Sequence, residues 1–125
     1  MLNEPLNASL LREFGERLGI QNLSSGEGRC VDLQIEASDR LQIQQVEGML
    51  LLSYVAVCDH RQDLSFMERL LMLTHPDNEN PYPLQVGYLG ETQVALVVRR
   101  QADELSVDEM MAIVDFLWEL RQTYL

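Results

Sequence analysis

The chain has 125 residues, a formal charge of −11 from twenty acidic side chains set against nine arginines, and no lysine. That length fits a single domain, residues 1–125, whose modest core buries roughly two-thirds of the unfolded surface. With no basic patch or tail to displace counterions, nucleic acid and anionic membrane surfaces are poor partners.

Glu4 and Pro5 come early, without a basic region or a long apolar stretch, so no signal peptide is expected and the cytosol is the expected compartment. Leu6, Leu10, Phe14 and Leu18 recur every four residues and predict a short amphipathic helix that Gly19 can end. Ser24 to Gly28 reads as a loop. Val31, Leu33 and Ile35 then alternate with polar residues, as do Leu41 and Ile43 after a turn around Ser38-Asp39, which predicts two strands. Glu47-Gly48 punctuates the chain before Met49 to Val57, a third strand. This run does not alternate and is expected to be covered on both faces. It is also far too short to span a bilayer as a helix.

Asp63 can cap a second helix in which Leu64, Phe66, Met67, Leu70, Leu71, Met72 and Leu73 spread well beyond one stripe. One sheet contact cannot hide that much apolar surface, so this helix is expected to meet another subunit. The prolines of His75 to Pro83 stop the helix and make a stiff loop. Leu84, Val86 and Tyr88, a turn at Gly90-Glu91, and Val94, Leu96 and Val98 predict a hairpin. Ser106-Val107-Asp108-Glu109 has the form of a capping box and starts a last helix whose apolar residues, Val107 to Tyr124, cover about half its circumference. The order α-βββ-α-ββ-α predicts an α+β domain, an antiparallel sheet with helices laid against it.

Little in the chain points to catalysis. A phosphate-binding loop needs a lysine and a glycine spacing that are both missing, and Gly26-Glu27-Gly28 precedes a strand where the dinucleotide motif precedes a helix. Cys58, Asp59 and His60 are neighbours on an extended segment, pointing to opposite faces and unable to converge on one metal ion. Cys30 and Cys58 are too few and too far apart for a disulfide framework or a Cys-x-x-Cys site. His60 and His75 lack a placed acid or nucleophile. No catalytic residue, metal site or cofactor is therefore expected, and most carboxylates fall on predicted solvent faces. The methionines of the helices, Met67 and Met72 above all, suit surfaces that accept varied apolar ligands.

Gly87-Tyr88-Leu89-Gly90-Glu91-Thr92-Gln93, with the capped helix after it, resembles the C-terminal part of class I type III secretion chaperones, the Tir-chaperone-like family, and most of all those serving the secretion gatekeeper. The resemblance runs upstream through His60-Arg61 and Phe66 to Thr74 and more weakly over the whole chain. It implies a bacterial cytoplasmic protein without enzymatic activity, associated with virulence. Such a protein binds the N-terminal region of a secreted effector or gatekeeper in an extended, non-globular form and keeps it export-competent.

Candidate client-binding residues lie on the first helix and the first three strands: Leu6, Leu10, Phe14, Leu33, Leu41, Ile43, Leu50 and Leu52. Periodicity assigns their faces without saying which face meets solvent, so part of the set belongs to the core. By the same resemblance the second helix and the strand after it form a dimer, through Leu64, Met67, Leu71, Leu84, Val86 and Tyr88. A homodimer is favoured, and a heterodimer with a second chaperone stays open. The alternative reading is a small regulatory protein-binding module of the same fold with no part in secretion.

Overall fold

A computed structural model describes residues 8–19, 30–35, 38–58, 64–75, 80–90 and 92–125. The elements run α1 (Ala8–Leu18), β1 (Cys30–Ile35), β2 (Asp39–Val46), β3 (Met49–Val57), α2 (Leu64–Leu73), β4 (Leu84–Leu89), β5 (Gln93–Gln101), a short 3-10 turn at Ala102–Glu104, and α3 (Val107–Tyr124). This is the expected α+β order. Leu6, Ser24 to Gly28, His60-Arg61, Asp63 and Glu91 lie outside the described residues.

The five strands form one antiparallel sheet in the order β1-β2-β3-β5-β4. Two local devices fix its registers. Glu47 and Gly48 both have positive φ, 52° and 80°, and join β2 to β3 as the two-residue turn that matches strand twist. Gly90, with φ of 65°, opens the turn between β4 and β5. After β3 the chain passes through α2 to lay β4 at the far edge, and β5 then fills the place between them. β1 and β4 are the two edges.

Directly paired residues of antiparallel strands share a face. Val31, Ile43, Leu52, Val98 and Leu84 therefore make one row across all five strands, and Leu33, Leu41, Tyr54, Leu96 and Val86 a second. Ala56, Val94 and Tyr88 begin a third. The middle of each row is fully buried in a core shared with Leu11 and Phe14 of α1 and with Met110, Ile113, Val114, Leu117 and Leu120 of α3. Each buried leucine or isoleucine contributes on the order of 2 kcal/mol through removal from water.

Met49 to Val57 departs from expectation, because it is not sealed on both sides. Leu50, Leu52, Tyr54 and Ala56 are buried, whereas on the reverse face Leu51, Ser53 and Val57 are half-exposed and only Val55 is buried. On the reverse face burial is confined to Val55 and its β5 partner Ala95, so the continuous apolar run overstates how far that face is covered.

The helix ends follow the sequence closely. Gly19, with φ of 81°, closes α1 through its amide to the Glu16 carbonyl at 3.1 Å. Ser106 caps α3, its hydroxyl accepting from the Glu109 amide at 3.1 Å. The reciprocal half of the capping box is not made, because the Glu109 carboxylate is taken by the Arg100 guanidinium of β5. Burial of α3 is also narrower than its apolar content suggests: Trp118 and Tyr124 stay exposed.

Candidate functional site

The open apolar surface of the molecule gathers on α2 and β4. Helix α2 buries only Phe66, Leu70 and Leu73, a narrow stripe for a ten-residue helix with so many large apolar side chains. Leu64 and Leu71 are each 70% exposed, Met72 is 63% exposed, and Met67 is also at the surface. On β4, Leu84 and Val86 are half-buried, and Tyr88 and Leu89 are exposed. Between the two elements lies an open depression of about 520 Å³ whose lining includes Leu70, Leu71, Thr74, Leu84, Val86, Tyr88 and Val97.

The six residues expected at a subunit interface are thus placed on one side of the molecule, four of them, Leu71, Leu84, Val86 and Tyr88, around a single depression. Met72, singled out with Met67 in the sequence, is exposed on the same helix, and Leu89 is exposed at the end of β4. Met72 adds to the second apolar stripe of α2, whereas Leu89 sits on the opposite face of its strand from Val86 and Tyr88 and was not expected at the interface. Few charges interrupt this region. Glu68 is the single carboxylate on α2, β4 has none, and in a chain of charge −11 that makes the surface a neutral island.

The client-binding set is divided by the structure. Phe14, Leu41, Ile43, Leu50 and Leu52 are each exposed by 1% or less and form the centre of the chain's own core. They are placed there because α1 and α3 close over the middle of the strand rows. Leu10 and Leu33 are half-buried at the rim of that core, and Ile35 joins them there. Leu33 and Ile35 stand on edge strand β1, at the opposite ends of the rows from Val86 and Tyr88. One layer of side chains thus runs across the sheet, buried at its centre and at Val31 of β1, and half-buried or exposed at Leu33, Ile35, Leu84, Val86 and Tyr88.

A buried polar group escaped the sequence reading. Asp39, expected in a turn, is the first residue of β2 and is only 4% exposed. Its carboxylate accepts from the Tyr54 hydroxyl at 2.9 Å, from the Arg121 guanidinium at 2.9 Å and from the Val57 amide at 3.4 Å. Burial pulls the Arg121 pKa down, but the hydrogen bond and charge of Asp39 outweigh it and hold the guanidinium above its ordinary value. The arrangement ties the last turn of α3 to β2 and β3. Its members are 82 residues apart in sequence, so no local motif announces it.

Asp39 and Tyr54 are buried and Arg121 is partly exposed, and the acceptor and donors of this constellation satisfy one another. Among the described residues no group of three or more metal-ligating side chains comes together, and no helix is long and apolar enough to cross a membrane. Cys58 is a buried thiol within the core.

The fold is that of type III secretion chaperones solved with their partners. The Yersinia pestis chaperone SycH, crystallised with a fragment of YscM2, is 16% identical, with 94% of this chain and 98% of that one covered at a TM-score of 0.71. The ExsC–ExsE complex gives 21% identity, 94% and 92% coverage and a TM-score of 0.75. The Pseudomonas aeruginosa ExoU–SpcU heterodimeric complex gives 18%, 87% and 89%, and 0.64. At these identities the likeness is one of fold. No curated protein matches the chain by sequence. The model of the type III secretory system chaperone SycN family matches residues 7–125, and the chain belongs to that family.

Proposed function

We propose that this chaperone binds the N-terminal region of a secreted effector or gatekeeper protein in the bacterial cytoplasm and holds it extended until export, as a dimer joined through α2 and β4. The observation that carries the reading is the pair of unfinished row ends. At the β4 end, Leu64, Met67, Leu71 and Tyr88 present more apolar surface than a lone small domain keeps in water. At the β1 end, the edge strand of the described sheet carries the half-buried Leu33 and Ile35, with Leu10 of α1 beside them on the same core. An extended segment can add there as a strand and seat alternate side chains on that rim. The chaperone partners named in the related structures support the same reading.

Binding in this scheme is passive. It needs no nucleotide, metal or other cofactor and catalyses no reaction. Ordering an extended client costs free energy at every residue, so affinity comes from a few buried apolar anchors, and the acidic surface favours clients with basic residues between them.

Affinity capture from secretion-competent cells, followed by mapping of the bound chain, tests the function. The expected client is a secreted protein held through its N-terminal segment. Capture of a compact, cooperatively folded domain would instead favour the regulatory module. In calorimetry the mapped segment should bind with a negative heat-capacity change and equally well in chelator. Leu10→Ser combined with Leu33→Ser should weaken that binding tenfold, about 1.4 kcal/mol, with the dimer intact.

A further inference from the structure

Helix α2 is held to its own chain by three buried side chains, yet it must present its outer face in a defined pose if a partner is to dock there. The segment that follows it supplies the constraint. The Asn80 side-chain amide donates to the Leu73 carbonyl at 2.7 Å, satisfying one of the last carbonyls of α2, which have no acceptor role inside the helix. Two residues later Tyr82 is gripped by other elements. Its ring lies against Phe116 of α3, with centroids 5.7 Å apart and planes tilted by 57°. The Arg100 guanidinium of β5 stands over the same ring at 5.9 Å, itself held by the Glu109 carboxylate in the first turn of α3.

The sequence prepares this segment. Asn80 and Tyr82 each precede a proline, Pro81 and Pro83, which biases both toward extended backbone and removes two amides that would otherwise need partners. The short stretch from Asn80 to the start of β4 at Leu84 therefore loses little conformational freedom on folding, and it ties one end of α2 to α3.

We propose that Asn80 and Tyr82 form a clasp that sets the pose of α2 against β4, so that α3 serves as the anchor of the partner face. Asn80 and Tyr82 are positioning residues that act through α2 without touching the partner. The proposal rests on the reading of α2 and β4 as that face, but its central measurement does not.

Amide hydrogen exchange of the full chain, comparing wild type with Tyr82→Ala, Tyr82→Phe and Asn80→Ala, is the test, with sedimentation equilibrium run on the same samples. Tyr82→Ala should speed exchange in residues 64–73 at least tenfold while β2 and β3 keep their protection. Tyr82→Phe should retain the wild-type pattern, because the ring contacts survive. Asn80→Ala should loosen mainly the last turn of α2. Self-association should weaken tenfold in Tyr82→Ala and not in Tyr82→Phe. Unchanged α2 exchange in Tyr82→Ala, or acceleration spread evenly over β2 and β3, would overturn the clasp. A wild-type chain that neither self-associates nor pairs with a second chaperone, but loses α2 protection in Tyr82→Ala, would uphold the clasp and overturn the partner face.

Discussion

Helices α2 and α3 are both rich in large apolar residues, and the fold treats them in opposite ways. α3 has eighteen residues, buries Val107, Met110, Ile113, Val114, Leu117 and Leu120, and is fastened at both ends, by the Ser106 cap and by the Arg121–Asp39 pair. α2 has ten residues, buries three side chains and leaves four large ones at the surface. The comparison separates apolar content that closes a core from apolar content left for a partner. In α3 the excess is two exposed aromatics, Trp118 and Tyr124, an ordinary surface feature, whereas in α2 it is a patch continuing onto β4.

The largest expected effect comes from the covered half. Leu52→Ala, at the centre of a five-strand row, should cost about 3 kcal/mol in urea denaturation, through lost transfer free energy and a cavity that packed strands cannot collapse. A cost below about 1 kcal/mol would mean that the row centre is loosely packed. Arg121→Ala comes next at about 2 kcal/mol, because it leaves the buried Asp39 carboxylate with the Tyr54 hydroxyl and the Val57 amide but no opposing charge. Asp39→Asn together with Arg121→Leu should recover part of that loss in the same assay.

Ser106→Ala should cost about 1 kcal/mol, the usual loss of a hydroxyl N-cap, and should fray the first turn of α3 by hydrogen exchange. The smallest effect on folding belongs to α2. Leu71→Glu should change the stability of the folded chain by less than about 0.5 kcal/mol, since the side chain is already in water. It should nevertheless weaken association at least tenfold in sedimentation equilibrium, because a carboxylate buried at an interface without a partner is costly. Wild-type association in Leu71→Glu would break the contrast between the helices and move the partner face elsewhere.

Periodicity made most of the elements legible. The alternations of β1, β2, β4 and β5, the Glu47-Gly48 turn, the Gly19 stop and the Ser106 cap are each written within a few residues, because the interactions that build them are local. The excess of apolar residues on α2 was readable in the same way. Burial was less so. Phe14, Leu41, Ile43, Leu50 and Leu52 lie on apolar faces that could equally line a binding groove, and only the packing of α1 and α3 makes them core.

Sequence alone determined the α+β order, the family resemblance, the lack of any phosphate-holding motif and the presence of one helix too apolar for its length. Tertiary structure decided which ends of the strand rows stay open, that Glu109 serves Arg100 in place of its own helix end, and that Asp39 sits in the interior facing Arg121. The reason is one of range. Alternation, caps and turns are set by neighbours along the chain, whereas the choice between core and surface depends on helices that return from distant parts of the sequence and cover one stretch of sheet but not the next.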